Sequence, residues 1–279
     1  MPAILRYGCL AVWLLITAIP VTGQSGFTDR EAIINHMFTR LQAGTDPAFK
    51  HTMADSIRTA INEALLLPGS FEYPFTTLKI GKVTSSDNKV RFYTWNVPFM
   101  DGHSDYFGFI QYKTDNKSVN LIELHDKSPE IPNPESPTLP PDQWYGMLVY
   151  DIIPVKAGSQ TLYTLLCFAN EDLFISKKAV DILSFDETGK AWFGKPVFRI
   201  HGKVQSRIIF RYTSKARMSL VWNASRKMII FDHLSPSRPI YTGNYNYYGP
   251  DLSFDALRFE NGFWELTEDV DARNTDSGN

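Results

Sequence analysis

Asn223-Ala224-Ser225-Arg226-Lys227-Met228-Ile229-Ile230-Phe231 decides the reading of the fold. Small polar residues that favour a turn lead straight into a run of β-branched and aromatic residues, the local signature of a hairpin and its following strand. Phe109-Ile110-Gln111-Tyr112 shows the same pattern ahead of Asp115-Asn116-Lys117. Further turns are expected at Ser85-Ser86-Asp87-Asn88, Lys156-Ala157-Gly158-Ser159, Asp186-Glu187-Thr188-Gly189 and Glu260-Asn261-Gly262, each with strand material on both sides. Six such hairpins imply about twelve strands. The chain therefore reads as mainly β, an antiparallel meander folded into a large sandwich or a barrel-like body. A propeller is disfavoured, because about twelve strands make only about three four-stranded blades, too few to close a ring.

Ahead of Phe71 the periodicity is helical. Thr28-Asp29-Arg30-Glu31 has capping-box spacing, and Ile33, Ile34, Met37, Phe38 and Leu41 follow at helical intervals up to Gly44. Asp46-Pro47 supplies a cap and a first-turn proline for a second helix. Its stripe of Phe49, Met53, Ile57, Ile61 and Leu65 ends at Pro68-Gly69. Such stripes dock a helical pair on a core.

The first residues are an address rather than a fold. Arg6, an apolar run from Cys9 to Ile19, Pro20 and a small-residue close at Gly23 have the layout of a cleavable secretory signal peptide. The run is too short to span a bilayer as a helix, which takes about 20 residues, and no later stretch is long and apolar enough to do so. The expected organisation is a signal peptide at 1–23, a helical segment at 24–69 and first β hairpins at 70–127. A proline-rich linker or loop follows at 128–142, then the main β region at 143–273 and a disordered tail at 274–279. Six of the 17 prolines fall between Ser128 and Asp142, so this segment runs extended and cannot be a central strand. Loss of Cys9 would leave Cys167 as the single thiol of an exported chain, unable to form an internal disulfide and set in an apolar run that suits a buried, inert role.

Charge excludes one class of partner. With 28 Lys+Arg against 30 Asp+Glu and no basic block, the chain lacks the positive footprint that nucleic acid requires. No G-x-S-x-G, H-E-x-x-H, C-x-x-C or phosphate-cradling glycine loop occurs, and no cofactor is implied. Asp101-Gly102-His103-Ser104-Asp105 is the metal candidate, because alternate residues of extended chain share a side and would bring Asp101, His103 and Asp105 together. Asp232-His233 and His125-Asp126, both at strand ends, are candidates for acid–base work, with His103 as a third imidazole. Glu265, Glu268, Asp269, Asp271 and Arg273 read as a solvated terminal face. The segment Gly243 to Asp251 carries Tyr245, Tyr247, Tyr248 and Asp251 among glycines and amides. With the nearby rings Trp144 and Tyr145 it is the ligand-binding candidate, since rings can stack on a sugar or a peptide while Asn and Asp bond its hydroxyls.

Several phrases carry a resemblance. Trp144-Tyr145-Gly146 with Tyr150-Asp151-Ile152-Ile153-Pro154, Phe231-Asp232-His233-Leu234-Ser235-Pro236, and Tyr248-Gly249-Pro250-Asp251 with Asp255-Ala256-Leu257 together resemble an uncharacterised family of exported proteins from Bacteroidota. The resemblance implies a periplasmic, cell-surface or secreted setting and brings no activity or site residue with it. The expectation is an exported, non-catalytic β protein that binds an envelope partner or a glycan. The alternative is a hydrolase of glycans or peptides that uses scattered carboxylates and a histidine.

Overall fold

A computed structural model describes residues 22–114 and 118–271. Most of the expected leader, the turn at 115–117 and the tail at 274–279 lie outside the described residues. The rest forms two helices and fifteen strands arranged as four stacked layers: the helical pair, then three sheets.

Helix α1 covers Thr22–Ala43 and α2 covers Pro47–Leu65. At α2 the sequence and the structure agree: the Asp46 carboxylate accepts from the Phe49 amide at 2.9 Å, Pro47 opens the first turn, and Met53, Ile57, Ile61 and Leu65 are buried. At α1 the expected capping box does not form. The helix begins before Thr28 and runs through it. Glu31 is buried instead, and its carboxylate accepts from the Tyr73 hydroxyl (2.9 Å) and from the Thr77 and Leu78 amides (3.0 and 2.9 Å). Three donors in the loop that follows α2 outcompete the one amide at the helix's own start, and so tie α1 to that loop.

The first sheet is the meander β1 (Gly81–Thr84), β2 (Val90–Pro98), β3 (Ser104–Lys113) and β4 (Val119–His125), all antiparallel. Its strand period of two divides the side chains. Tyr93, Trp95, Val97 and Phe109 pack under the helices, whereas Val90, Phe92, Ile110 and Leu124 face the second sheet. This sheet is buried on both faces, so β2 is buried almost without interruption, Arg91 and Thr94 included, rather than at alternate residues.

The second sheet has the order β11 (Ile208–Thr213), β7 (Ile175–Phe185), β6 (Gln160–Asn170) and β5 (Leu148–Ala157), and the short β8 (Ala191–Phe193) also pairs with β7. Tyr163, Leu165 and Cys167 face the first sheet; Leu162 and Leu166 face the third. Burial raises the Cys167 thiol pKa well above its usual value, as suits an inert core residue.

The third sheet has the order β10 (Lys203–Gln205), β9 (Phe198–Ile200), β15 (Phe263–Thr267), β14 (Tyr248–Glu260), β13 (Met228–Pro236) and β12 (Leu220–Asn223). One pair, β15 with β9, is parallel, a departure from a pure meander. Trp264, fully buried, donates its indole N–H to Thr164 Oγ1 across the second and third sheets at 3.1 Å. Among the described residues each sheet is open and none closes on itself, so the sandwich alternative is realised, with one more layer than expected, and the barrel is not. The expected turns at 85–88, 156–159, 186–189, 223–225 and 260–262 each join successive antiparallel strands.

The proline-rich segment is a strap between β4 and β5. Arg207, fully buried, donates to the Pro134 and Pro137 carbonyls and forms an ion pair with Asp181 at 3.0 Å. The Glu135 carbonyl accepts from the Ser206 amide (2.8 Å), and Leu139 and Phe193 exchange backbone hydrogen bonds.

Candidate functional site

A cleft of about 870 Å³ opens where α2, the ends of β3 and β4, the strap and the ends of β6, β7 and β11 converge. Two other grooves, of about 670 and 620 Å³, are lined mainly by neutral side chains or by the outer faces of the helices. The cleft differs in gathering charged groups, among them Arg58, His103, Asp105, Asp126, Glu171, Lys177 and Arg211.

Asp126 organises one wall. Its Oδ1 accepts from the Ser128 amide (2.9 Å), the Ser128 hydroxyl (2.5 Å) and the Gly146 amide (3.1 Å), and its Oδ2 accepts from the Tyr106 amide (3.3 Å). This fastens the strap and the approach to β5 against the first sheet. Gly146 is required there, because a Cβ would lie 2.3 Å from the Asp126 carboxyl carbon. His125 beside it is exposed on the cleft, so the two residues do separate work.

The expected metal candidate lies at the rim. His103 Nδ1 sits 2.5 Å from Asp101 and its Nε2 3.9 Å from Asp105, which is also 3.4 Å from His51. The His103 ring stacks on Phe99 at 4.4 Å and 2°. Both ring nitrogens thus face carboxylates. Among the described residues no group of three or more His, Cys, Asp or Glu side chains is placed to hold a metal ion. The arrangement is a chain of imidazole–carboxylate contacts. Burial raises the Asp105 carboxyl pKa, opposed by His51 and His103.

On the opposite wall, Lys177 and Arg211 stand directly across from each other on β7 and β11. Glu171 Oε2 lies between them, 3.0 Å from Arg211 Nε and 3.7 Å from Lys177 Nζ. Lys177 also donates to the Tyr145 hydroxyl at 3.2 Å. Arg211 lies 5.8 Å from the centre of the Tyr245 ring.

The chain matches no family model, no curated protein and no solved structure.

The expected ligand-binding residues do not form one surface. Trp144 is 2% exposed and belongs to the core between the first two sheets, so it is no platform; the apolar pocket beside Phe193 claims it. Tyr145 is buried as well, and it takes part in the cleft through its hydroxyl. Tyr247 stacks on Tyr241 at 4.0 Å and 12°, and Tyr248 accepts from the Gly243 amide at 3.0 Å while tilting against Tyr245. Asp251 is engaged by the Ser253 amide and hydroxyl (3.1 and 2.7 Å). Of these residues Tyr145 lines the cleft, and Tyr245 stands next to it through its contact with Arg211.

Asp232-His233 also separates. Asp232 accepts from the Ser219 amide at 2.6 Å and closes the β12–β13 hairpin. His233 sits at a bulge between Asp232 and Leu234, where Nδ1 lies 2.7 Å from the buried Asp255 carboxylate. That hydrogen bond raises the His233 pKa. The dyad is on the third sheet and does not line the cleft. In the terminal cluster, Glu265 pairs with Arg199 at 2.7 Å, and the Asp269 amide donates to Asp255 at 3.2 Å. Arg273 lies outside the described residues.

Sequence reasoning missed Glu171, Lys177 and Arg211. They are charged residues in separate strand and turn segments, and only strand pairing places them together. The signal available was weak: charges inside otherwise apolar strands.

Proposed function

We propose that this chain is an exported, non-catalytic β protein that binds a glycan at the cell envelope, with the cleft as its binding site. One observation carries the reading. A concave site of about 870 Å³ is walled by charged and hydroxyl side chains, with Asp126 held by backbone amides and Lys177 and Arg211 by Tyr145 and Glu171, and a half-exposed tyrosine, Tyr245, stands beside Arg211. Sugars present dense hydroxyls along their edges and apolar faces between, and such a site meets both needs. The leader-like layout of residues 1–23 and the resemblance to exported Bacteroidota proteins support the location. The test is titration of the full-length mature chain with a panel of neutral and acidic oligosaccharides, followed by amide chemical shifts. Perturbations confined to residues around Asp126, Lys177 and Arg211 are expected, and binding is expected to weaken on Tyr245→Ala. Unchanged affinity in a folded Tyr245→Ala variant would remove that ring from the site. N-terminal sequencing of protein from fractionated cells tests export, and an intact Met1 on cytosolic protein would overturn it.

A second reading, hydrolysis of the bound glycan or a peptide, is favoured by His103, Asp105 and Asp126 sharing the cleft, with burial raising the Asp105 pKa. Product release from the same panel, abolished by Asp105→Asn, would establish it; no product after prolonged incubation would dismiss it.

A further inference from the structure

We propose that the Lys177–Arg211 wall of the cleft is a carboxylate subsite, so that the glycan it takes is an acidic one carrying uronic acid residues; this rests on the cleft being the binding site. Lys177 and Arg211 are direct cross-strand partners, a placement in which like charges repel. The Lys177 side chain is 11% exposed and that of Arg211 25%, so solvent screens this repulsion only in part. A single carboxylate, Glu171, faces both cations. It engages Arg211 through Nε alone, which leaves the two terminal guanidinium nitrogens without a hydrogen bond among the described residues. Lys177 spends one of its three donors on Tyr145 and lies only loosely, at 3.7 Å, from Glu171. The wall thus holds one cation in excess together with uncommitted donors, and both side chains line the cleft. A planar carboxylate fits the forked end of Arg211 by two parallel N–H···O bonds, with the Lys177 ammonium as a point charge beside it. The Tyr245 ring lies 5.8 Å from Arg211 at the margin of this wall.

The opposite wall accounts for a sugar rather than a small organic acid. Asp105 stands there as an acceptor, and the Ser104 side chain also lines the cleft. A ligand in the cleft therefore meets both donors and acceptors, as a uronate with its neighbouring hydroxyls would.

The experiment uses the full-length mature chain, with calorimetry and amide chemical shifts. The probes are oligogalacturonate and hyaluronan oligosaccharides, the same oligosaccharides after carboxyl reduction, and dextran sulfate. At least one uronate probe is expected to bind in the cleft about tenfold or more tightly than its reduced form, and to weaken as salt rises. Arg211→Gln is expected to abolish that preference, with Arg211→Lys retaining part of it, while the far-ultraviolet circular dichroism is unchanged. The comparison of native and reduced probes on the unaltered protein stands even if a variant fails to fold. Equal binding of native and reduced forms, or a uronate preference that survives in folded Arg211→Gln, would overturn the subsite and leave the cleft as a neutral-glycan site. Tighter binding of dextran sulfate than of every uronate would overturn the carboxylate assignment. Binding of no probe, or shifts confined to residues outside the cleft, would overturn both this inference and the reading it rests on.

Discussion

The proline-rich strap and the tyrosine loop are both irregular, both rich in residues that disfavour regular structure, and held in opposite ways. The strap is fastened from beneath. Arg207, with no exposed surface, reaches its carbonyls while paired to Asp181, and Asp126 gathers amides from its start and from Gly146. The loop between β13 and β14 has no buried residue from Ser237 to Tyr247, and it is held by its own ring stacks and turns. The difference teaches what makes irregular chain into a wall of a site. Backbone carbonyls that run over a core must find donors, and a buried guanidinium supplies several at once. Chain that stays in solvent needs none, and its side chains are free to stack on one another.

The sharpest way to break this contrast is Arg207→Met. It strips donors from the strap and leaves Asp181 charged and uncompensated near the core, which is expected to cost about 3–5 kcal/mol. Urea denaturation measures the loss, and the pair Arg207→Met with Asp181→Leu should recover much of it, because the desolvated charges then leave together. A loss under about 1 kcal/mol in the single variant would mean that the strap is held by something other than Arg207.

A smaller effect is expected at the third sheet, where the His233–Asp255 pair pins the start of the terminal segment through the Asp269 amide. The His233 pKa is raised in the folded chain by Asp255. Its contribution is therefore complete below the ordinary histidine value of about 6.5 and fades as pH rises through the higher folded value. The His233 side chain is 41% exposed, so solvent limits the effect to about 1 kcal/mol or less. Unfolding midpoints from pH 5.5 to 8.5 should converge for the natural chain and His233→Gln at the alkaline end. A gap that stays constant across that window would show that proton binding at His233 is not involved.

The smallest effect belongs to the tyrosine loop. Tyr247→Ala removes the stack on Tyr241 and should cost about 0.5–1 kcal/mol, measured by the same denaturation. A cost matching that of Arg207→Met would mean that the loop is built into the fold as firmly as the strap, and the contrast would fail.

These contrasts also mark how much was legible in the sequence. The second helix was, because its cap, proline and four-residue stripe act within a single element. The tight hairpins were legible for the same reason. The α1 start was misread, since Glu31 has the spacing of a cap and yet bonds to residues more than forty positions away. Trp144 reads as a ring of the ligand-binding candidate, and only the layering of the first two sheets buries it. The short strands β8, β9 and β10 have three residues each and give no period to read.

What the sequence by itself determined is the class of the body. Two helices followed by many short β segments are set by local periodicity and turn chemistry, which depend on near neighbours alone. Tertiary structure decided the four-layer stacking, the strap's anchorage and the meeting of Glu171, Lys177 and Arg211 across from Asp126. Those are matters of strand register and buried charge, where the partners lie tens of residues apart and the free energy of one contact depends on all the others being in place.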